Sequence, residues 1–275
     1  MVSVKALLDN QPSECHVFKE KFGLSMFVQT DDIKIVFDCG PDGTALGNAP
    51  HMNVDVTSAD CVVCSHAHYD HSGGFPDFVA AGVRGPLYTG PHYFEPKWSL
   101  YGVKWTYMGT GFDQCFLEQH GIEHRVVDGV VQLAPGCWAV SGFPRTHDFE
   151  TNPAKIVRGV PPHTAPDDFS DEVCLVLESS KGLVMVVACS HPGILNMAGH
   201  VHATFGKPIY AILGGTHLNA ADDERIARTV RELAAAGVKI LGFSHCSGER
   251  AEAFVQDFPG VEGCHLGTGD YFAVE

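Results

Sequence analysis

The sequence predicts an α/β protein, and two observations predict it. Short apolar, β-branched runs alternate with helical segments through both halves of the 275-residue chain. Residues suited to metal chemistry follow those runs closely, at the C-terminal ends of strands, where α/β sheets place their sites. A chain of this length can bury a large core. We read residues 1–275 as a single domain with an aromatic-rich excursion at 91–116 and a proline-rich loop at 143–170.

Taken in order, residues 2–8 alternate weakly and read as a first strand, and residues 24–30 and 33–38 read as a hairpin turning at Asp31-Asp32. Residues 42–58 read as a loop with a short helix, and 59–65 as a buried strand. Gly73-Gly74, followed by Phe75, Phe78 and Val79, opens a helix over 75–81, and a short strand follows at 85–89. Residues 91–116 carry Tyr93, Phe94, Trp98, Tyr101, Trp105, Tyr107, Phe112 and Phe116. They form either a β-rich excursion packed on the domain or an aromatic wall of a substrate pocket. Residues 143–170 hold Pro144, Pro153, Pro161, Pro162 and Pro166 with little regular pattern, as lids and binding loops do. Residues 173–178 and 183–189 read as a second hairpin, 209–213 as a buried strand and 239–244 as another. Between the last two, residues 220–236 read as a helix capped by Asn219, with Ile226, Val230, Leu233 and Gly237 facing the sheet.

The chemistry concentrates at Ser65-His-Ala-His-Tyr-Asp-His-Ser-Gly-Gly74. His66, His68, Asp70 and His71 supply imidazoles and a carboxylate, all good ligands for a divalent transition metal. If the chain is still extended after the strand, His66 and His68 point to one side. A tighter turn then carries Asp70 and His71 to a second position nearby, which suits two metals. Three later strands also end in histidine: His191 after 183–189, His217 after 209–213 and His245 after 239–244. As a set they are candidates to complete the site.

The His-x-His-x-Asp-His pattern resembles the metallo-β-lactamase superfamily, which implies a four-layer αββα sandwich with a mono- or dinuclear metal site along one sheet edge. The segments Cys189-Ser-His-Pro-Gly193, Gly214-Gly-Thr-His-Leu218 and His245-Cys-Ser-Gly248 narrow it to one branch. That branch contains the archaeal dihydropterin ribofuranosylaminobenzene-phosphate synthases of methanopterin biosynthesis. Asp38-Cys-Gly40, Asn48, Phe149-Glu150 and Asp171-Glu172 also sit where the branch has similar residues. The resemblance implies that His66, His68 and His191 hold one metal, and Asp70, His71 and His245 the other. The superfamily's usual bridging aspartate is replaced by Cys189-Ser190-His191. Either Cys189 bridges as a thiolate or His191 ligates alone. His147 competes with His191, because its order in the chain matches the superfamily's usual third histidine. His217 is placed behind the ligands or at the substrate, with a purely structural role as the alternative.

Two divalent ions are expected, zinc first, with iron or manganese as alternatives; a thiolate ligand favours zinc or iron. Such a site activates water on a small phosphate or carboxylic ester, with Asp70 orienting the nucleophile. The alternatives are a synthase like the branch's members, and an iron-dependent redox or sensing protein. The formal net charge of −15 argues against general nucleic-acid binding but not against a phosphate-bearing small molecule, since bound cations dominate a site's local field. No apolar run reaches the ~20 residues of a membrane span, and residues 1–10 lack the apolar core of a signal peptide. The ten cysteines, several inside apolar strands, are expected to be free thiols in a cytoplasmic protein, with Cys61-x-x-Cys64 packing the core. The sequence assigns no oligomeric state.

Overall fold

Residues 1–13 and 15–275 are described by a computed structural model. The first half runs β1 (Val2–Leu8), β2 (Ser25–Gln29), β3 (Lys34–Phe37), α1 (Thr44–Asn48), β4 (Cys61–Val63), α2 (Tyr69–Ser72), α3 (Phe75–Ala81), β5 (Leu87–Thr89), β6 (Lys97–Tyr101), β7 (Lys104–Tyr107), α4 (Gln114–His120) and β8 (His124–Val126). The second runs β9 (Val130–Ala134), β10 (Cys137–Val140), β11 (Ile156–Val160), β12 (His163–Pro166), β13 (Cys174–Ser179), β14 (Gly182–Val187), α5 (Ile194–Phe205), β15 (Ile209–Gly214), α6 (Asp223–Ala235), β16 (Ile240–Phe243), α7 (Glu249–Gln256), β17 (Glu262–His265) and β18 (Tyr271–Val274).

Two seven-stranded sheets result, ordered β18-β1-β2-β3-β4-β5-β8 and β17-β16-β15-β14-β13-β10-β9. Each is antiparallel over one half and parallel over the other, the change falling at β3 and at β14. The strand β14 shows why the sheets stack. Val184 and Val186 face the space between the sheets, whereas Leu183, Met185 and Val187 face the helices, and all five are buried. The inner core joins residues of both sheets, such as Val4, Phe37, Leu175 and Leu213. One outer layer packs Ile194, Ile226, Val230, Leu233 and Val255 of α5, α6 and α7 on the second sheet, and the other packs Ala45, Phe75, Phe78 and Leu117 of α1, α3 and α4 on the first. The layers are therefore α, β, β, α, as expected.

The structure refines several boundaries. The strand expected at 59–65 pairs over Cys61–Val63, and helix α6 starts at Asp223 with the Asp222 side chain, not Asn219, accepting from Arg225 N. Asp222 occupies the position from which a carboxylate reaches the third helical amide; Asn219 lies too far upstream. All ten cysteines are free, and Cys61 and Cys64 belong to opposite faces of their strand, in the inner and an outer core respectively.

The larger correction concerns 143–170, which is not irregular throughout. Its β11 and β12 form a hairpin that pairs with the β6–β7 hairpin of the excursion, making a third sheet ordered β12-β11-β6-β7. The aromatic stretch divides accordingly. Tyr93, Phe94, Phe112 and Phe116 pack into the first outer core, Trp98 and Tyr107 contact each other, and Tyr101 alone of the eight lines the cleft described next.

Candidate functional site

The site sits where strands of both large sheets end. Just beyond those ends the backbone turns through the left-handed region at Asp38 (φ 59°), Ser190 (φ 58°), His217 (φ 53°) and His245 (φ 51°). For non-glycine residues this conformation costs about 1–2 kcal/mol each, and such strain gathers at functional sites. Gly214 and Gly215 let β15 come close to β14. A Cβ there would stand 1.8 Å from Val187 O or 2.0 Å from Ala188 O. That approach brings the ring of His217 to 4.8 Å from the ring of His191.

The motif behaves as its spacing predicts. His66 and His68 lie together, with His66 Nε2 3.1 Å from His68 Nδ1. The single turn of α2 then swings Asp70 and His71 to the other side. There Asp70 Oδ2 is 3.3 Å from His245 Nε2 and 3.7 Å from His71 Nε2. Two compact groups form, His66 with Cys189 and His191, and His71 with Cys189 and His245, the ligand atoms within each lying within 4.8 Å of one another. The thiol of Cys189 belongs to both.

Partners on the far side of each ring fix which nitrogen faces inward. His71 Nδ1–H donates to Asp38 Oδ2 at 2.7 Å, and His191 Nδ1–H donates to Glu172 Oε2 at 2.8 Å. His245 Nδ1–H donates to Asn10 Oδ1 at 2.8 Å. His66 Nδ1–H donates to Ser65 Oγ at 2.8 Å, whose own hydroxyl donates to Asp38 Oδ2. Each of these rings therefore turns an Nε2 lone pair inward. His71 Nε2 and His245 Nε2 face each other at 3.2 Å with both Nδ1 protons engaged elsewhere. Two lone pairs at that separation repel unless a cation or proton lies between them. His68 Nε2 and Asp70 Oδ1 are buried without a hydrogen-bond partner. The donor set thus fits a pair of divalent cations, and one carboxylate, one thiol and five imidazoles suit zinc or iron better than magnesium.

The electrostatics of His66, His68 and His191 agree. Burial first, and neighbouring imidazoles next, hold His66 and His191 well below the usual histidine value. Burial and the charge of Lys97 take His68 down to about 3. These rings are neutral, the form that ligates. For His71, burial opposes the charged ring, but Asp70 and Asp38 outweigh it and raise the value. Burial likewise opposes ionisation of Asp70, yet His71 and His245 hold it low. Burial and the adjacent Asp171 push Glu172 up to about 8.

A cleft of about 400 Å³ opens onto this cluster, lined on its floor by His68, Asp70, Cys189, His191, His217 and His245. Phe22, Tyr69, Met108, Ile156 and Phe169 supply apolar walls. His217 is half-buried, and desolvation takes it down to about 4.

Residues 19–177 match the family model of the metallo-β-lactamase superfamily. The chain belongs to that superfamily. It is 30% identical over 261 residues, 88% of this chain and 86% of the relative, to the 7,8-dihydropterin-6-methyl-4-(β-D-ribofuranosyl)-aminobenzene-5′-phosphate synthase of Methanocaldococcus jannaschii. The branch resemblance seen in the motifs therefore holds over most of the sequence. Its fold matches a solved metal-dependent hydrolase of the β-lactamase superfamily with a TM-score of 0.86 and 24% identity, covering 100% of this chain and 99% of that one. Zn(2+)-bound PqqB from Methylobacterium extorquens matches with a TM-score of 0.57 and 11% identity, covering 99% and 100%. At those identities the two structures speak for the fold alone.

His147 does not join the cluster. Its Nε2 is 3.2 Å from Glu232 Oε2 and its Nδ1 3.1 Å from Asn196 Oδ1, on the α5–α6 side of the second sheet. His191, not His147, lies in the cluster.

Sequence reasoning missed the supporting layer. Lys97 on β6 is 2% exposed and reaches Asp171 at 2.7 Å and Asp167 at 2.9 Å. Asp171 accepts from Ala67 N at 2.8 Å, the amide between His66 and His68. Asp167 accepts from Phe169 N at 2.9 Å, and the Phe169 ring stacks on His191 at 4.0 Å. No local pattern marks Lys97 or Asn10. Asp38 and Glu172 were visible as members of branch-like segments, without a role.

Proposed function

We propose that the chain is a hydrolase of small phosphate or carboxylic esters that works with two divalent metal ions of the zinc type. His66, His68 and His191 would hold one, Asp70, His71 and His245 the other, with Cys189 between them. The observation that carries this reading is the convergence of imidazole lone pairs, a carboxylate and one shared thiol on the cleft floor. Bound there, the cations would supply Lewis acidity, lowering the pKa of water from 15.7 toward ~7 and polarising an ester oxygen.

The chain's own groups do the rest. Asp70 holds the second group through Oδ2, leaving the buried Oδ1 to accept a hydrogen bond from the attacking water and aim it. His217, neutral at ordinary pH, presents its ring to the cleft and can hydrogen-bond a substrate oxygen. The apolar walls take the organic part of the ester and keep bulk water off the floor. Two dications set against one carboxylate and one thiolate leave the floor net positive, so anionic substrates are favoured despite the chain's overall charge of −15.

The test is turnover of bis(4-nitrophenyl) phosphate by chelator-stripped protein reloaded with zinc, manganese or iron(II). Metal-dependent turnover abolished by the chelator is expected. No turnover with both groups loaded by any of the three ions would sink the hydrolase reading.

The identity with the synthase supports a second reading, in which the same floor serves condensation of a dihydropterin with a ribofuranosylaminobenzene phosphate. Mass-spectrometric detection of that product from its two halves, in place of ester turnover, would decide for it.

A further inference from the structure

The cleft carries one ionised side chain that the proposed reaction does not use. Among the described residues lining it, Asp70 is the only acid, and Lys155 is the only cation apart from the histidines. Lys155 lies in the turn just before β11, and its carbonyl accepts from Leu100 N at 2.8 Å. On β6, Lys97, Ser99 and Tyr101 share one face, because side chains alternate along a strand. That face runs from the buried interior, with Lys97 at 2% exposure, to the open rim of the cleft, with Tyr101 at 59%. At the rim Lys155 Nζ donates to the Tyr101 hydroxyl and lies 4.7 Å from the centroid of its ring. No carboxylate among the described residues forms an ion pair with Lys155. An ammonium has three donors, so at least one N–H remains for a ligand.

We propose that Tyr101 and Lys155 form a rim subsite for a second anionic group, a carboxylate or phosphate, on the aromatic body of a substrate whose scissile group lies on the cleft floor. The inference rests on the reading of this cleft as the substrate site. The geometry explains an otherwise awkward feature, a large aromatic ring left mostly in water on a strand whose inner residues are buried. A planar substrate would cover that ring and stack against it. It would also exclude water from the ammonium, and an ion pair shielded in this way strengthens relative to an exposed one. Attachment at floor and rim together sets which bond of the substrate meets the floor, which a single anion site does not do.

Phenylphosphonate and 4-carboxyphenylphosphonate, neither of which carries an ester bond to break, separate the two ends. Their binding to the zinc-loaded full chain is measured by titration calorimetry for the parent, Lys155→Met and Tyr101→Leu. Both positions are exposed, and metal content, checked in each variant, should not change. The parent is expected to bind the carboxylated probe about tenfold more tightly, a difference of about 1.4 kcal/mol. Lys155→Met should erase the preference and leave phenylphosphonate affinity as it was. Tyr101→Leu should weaken both probes. A preference that survives Lys155→Met, or a parent that has none, overturns the subsite while leaving the floor intact. Failure of both probes to bind the loaded parent overturns the functional reading of the cleft as well.

Discussion

The two ligand groups differ in what holds them, although they share a thiol. His66, His68 and His191 are steadied from the middle of the chain: Glu172 on the His191 ring, Phe169 stacked against it, and Lys97 acting through Asp171 on the amide of Ala67. His245 is steadied by residues near the termini, and His71 by Asp38. Asn10 takes the His245 ring, Asp9 accepts from His245 N, and Asp9 in turn faces His265 near the C-terminus at 3.2 Å. Cys189 inside and Asp38 outside serve both groups. The groups should therefore fail together when a shared member is removed, and separately when a private support is removed.

The largest effect is expected for Cys189→Ser. Loss of the shared thiol should empty both groups and take turnover to background, as read by elemental analysis beside the ester assay. Unchanged occupancy of two ions would show that Cys189 is no ligand. Lys97→Met should act on one side. It strands two buried carboxylates, Asp167 and Asp171, and breaking a buried pair in this way costs about 3–5 kcal/mol. Denaturant unfolding measures that cost. Metal titration should show weakening confined to the His66, His68 and His191 group, and equal weakening of both groups would erase the distinction.

Asn10→Ala is the mirror experiment with a smaller effect. Removing a hydrogen-bond partner behind a ligand weakens metal binding by about 10–100-fold. Here it should weaken one of two ions. The smallest effect concerns pH. Burial alone would lower His265, but Asp9 and Glu252 raise it to about 10. Since this lies above the ~6.5 of an unfolded chain, the charged ring stabilises the fold fully below about pH 6.5. That contribution fades as pH rises through about 10. Melting curves of His265→Gln should therefore fall less steeply with pH across this interval than those of the parent. Parallel curves would detach His265 from the terminal support.

What the sequence made legible follows the same division. The clustering of the His66–His71 segment could be read because its side chains lie within one turn of chain after one strand. His191, His217 and His245 could be read because each follows an apolar run, and strand ends converge. The supports could not be read, because Lys97 and Asp171, or Asn10 and His245, meet only after the sheets have stacked. The third sheet was hidden for a related reason. The sequences of β11, Ile-Val-Arg-Gly-Val, and β12, His-Thr-Ala-Pro, lack clear alternation, and they pair with a hairpin more than fifty residues earlier.

The third sheet is assembled from two excursions and pairs with neither large sheet, so it looks like a canopy that descent could exchange to suit new substrates. Lys97 restricts that freedom. This buried residue of β6 neutralises two acids, Asp167 and Asp171, so a lineage cannot trade that strand without settling their charge. Among relatives that keep the motif, loss of the lysine at position 97 should be accompanied by loss of acidity at 167 and 171. The third sheet and the acidic layer it neutralises then diverge as a coupled pair.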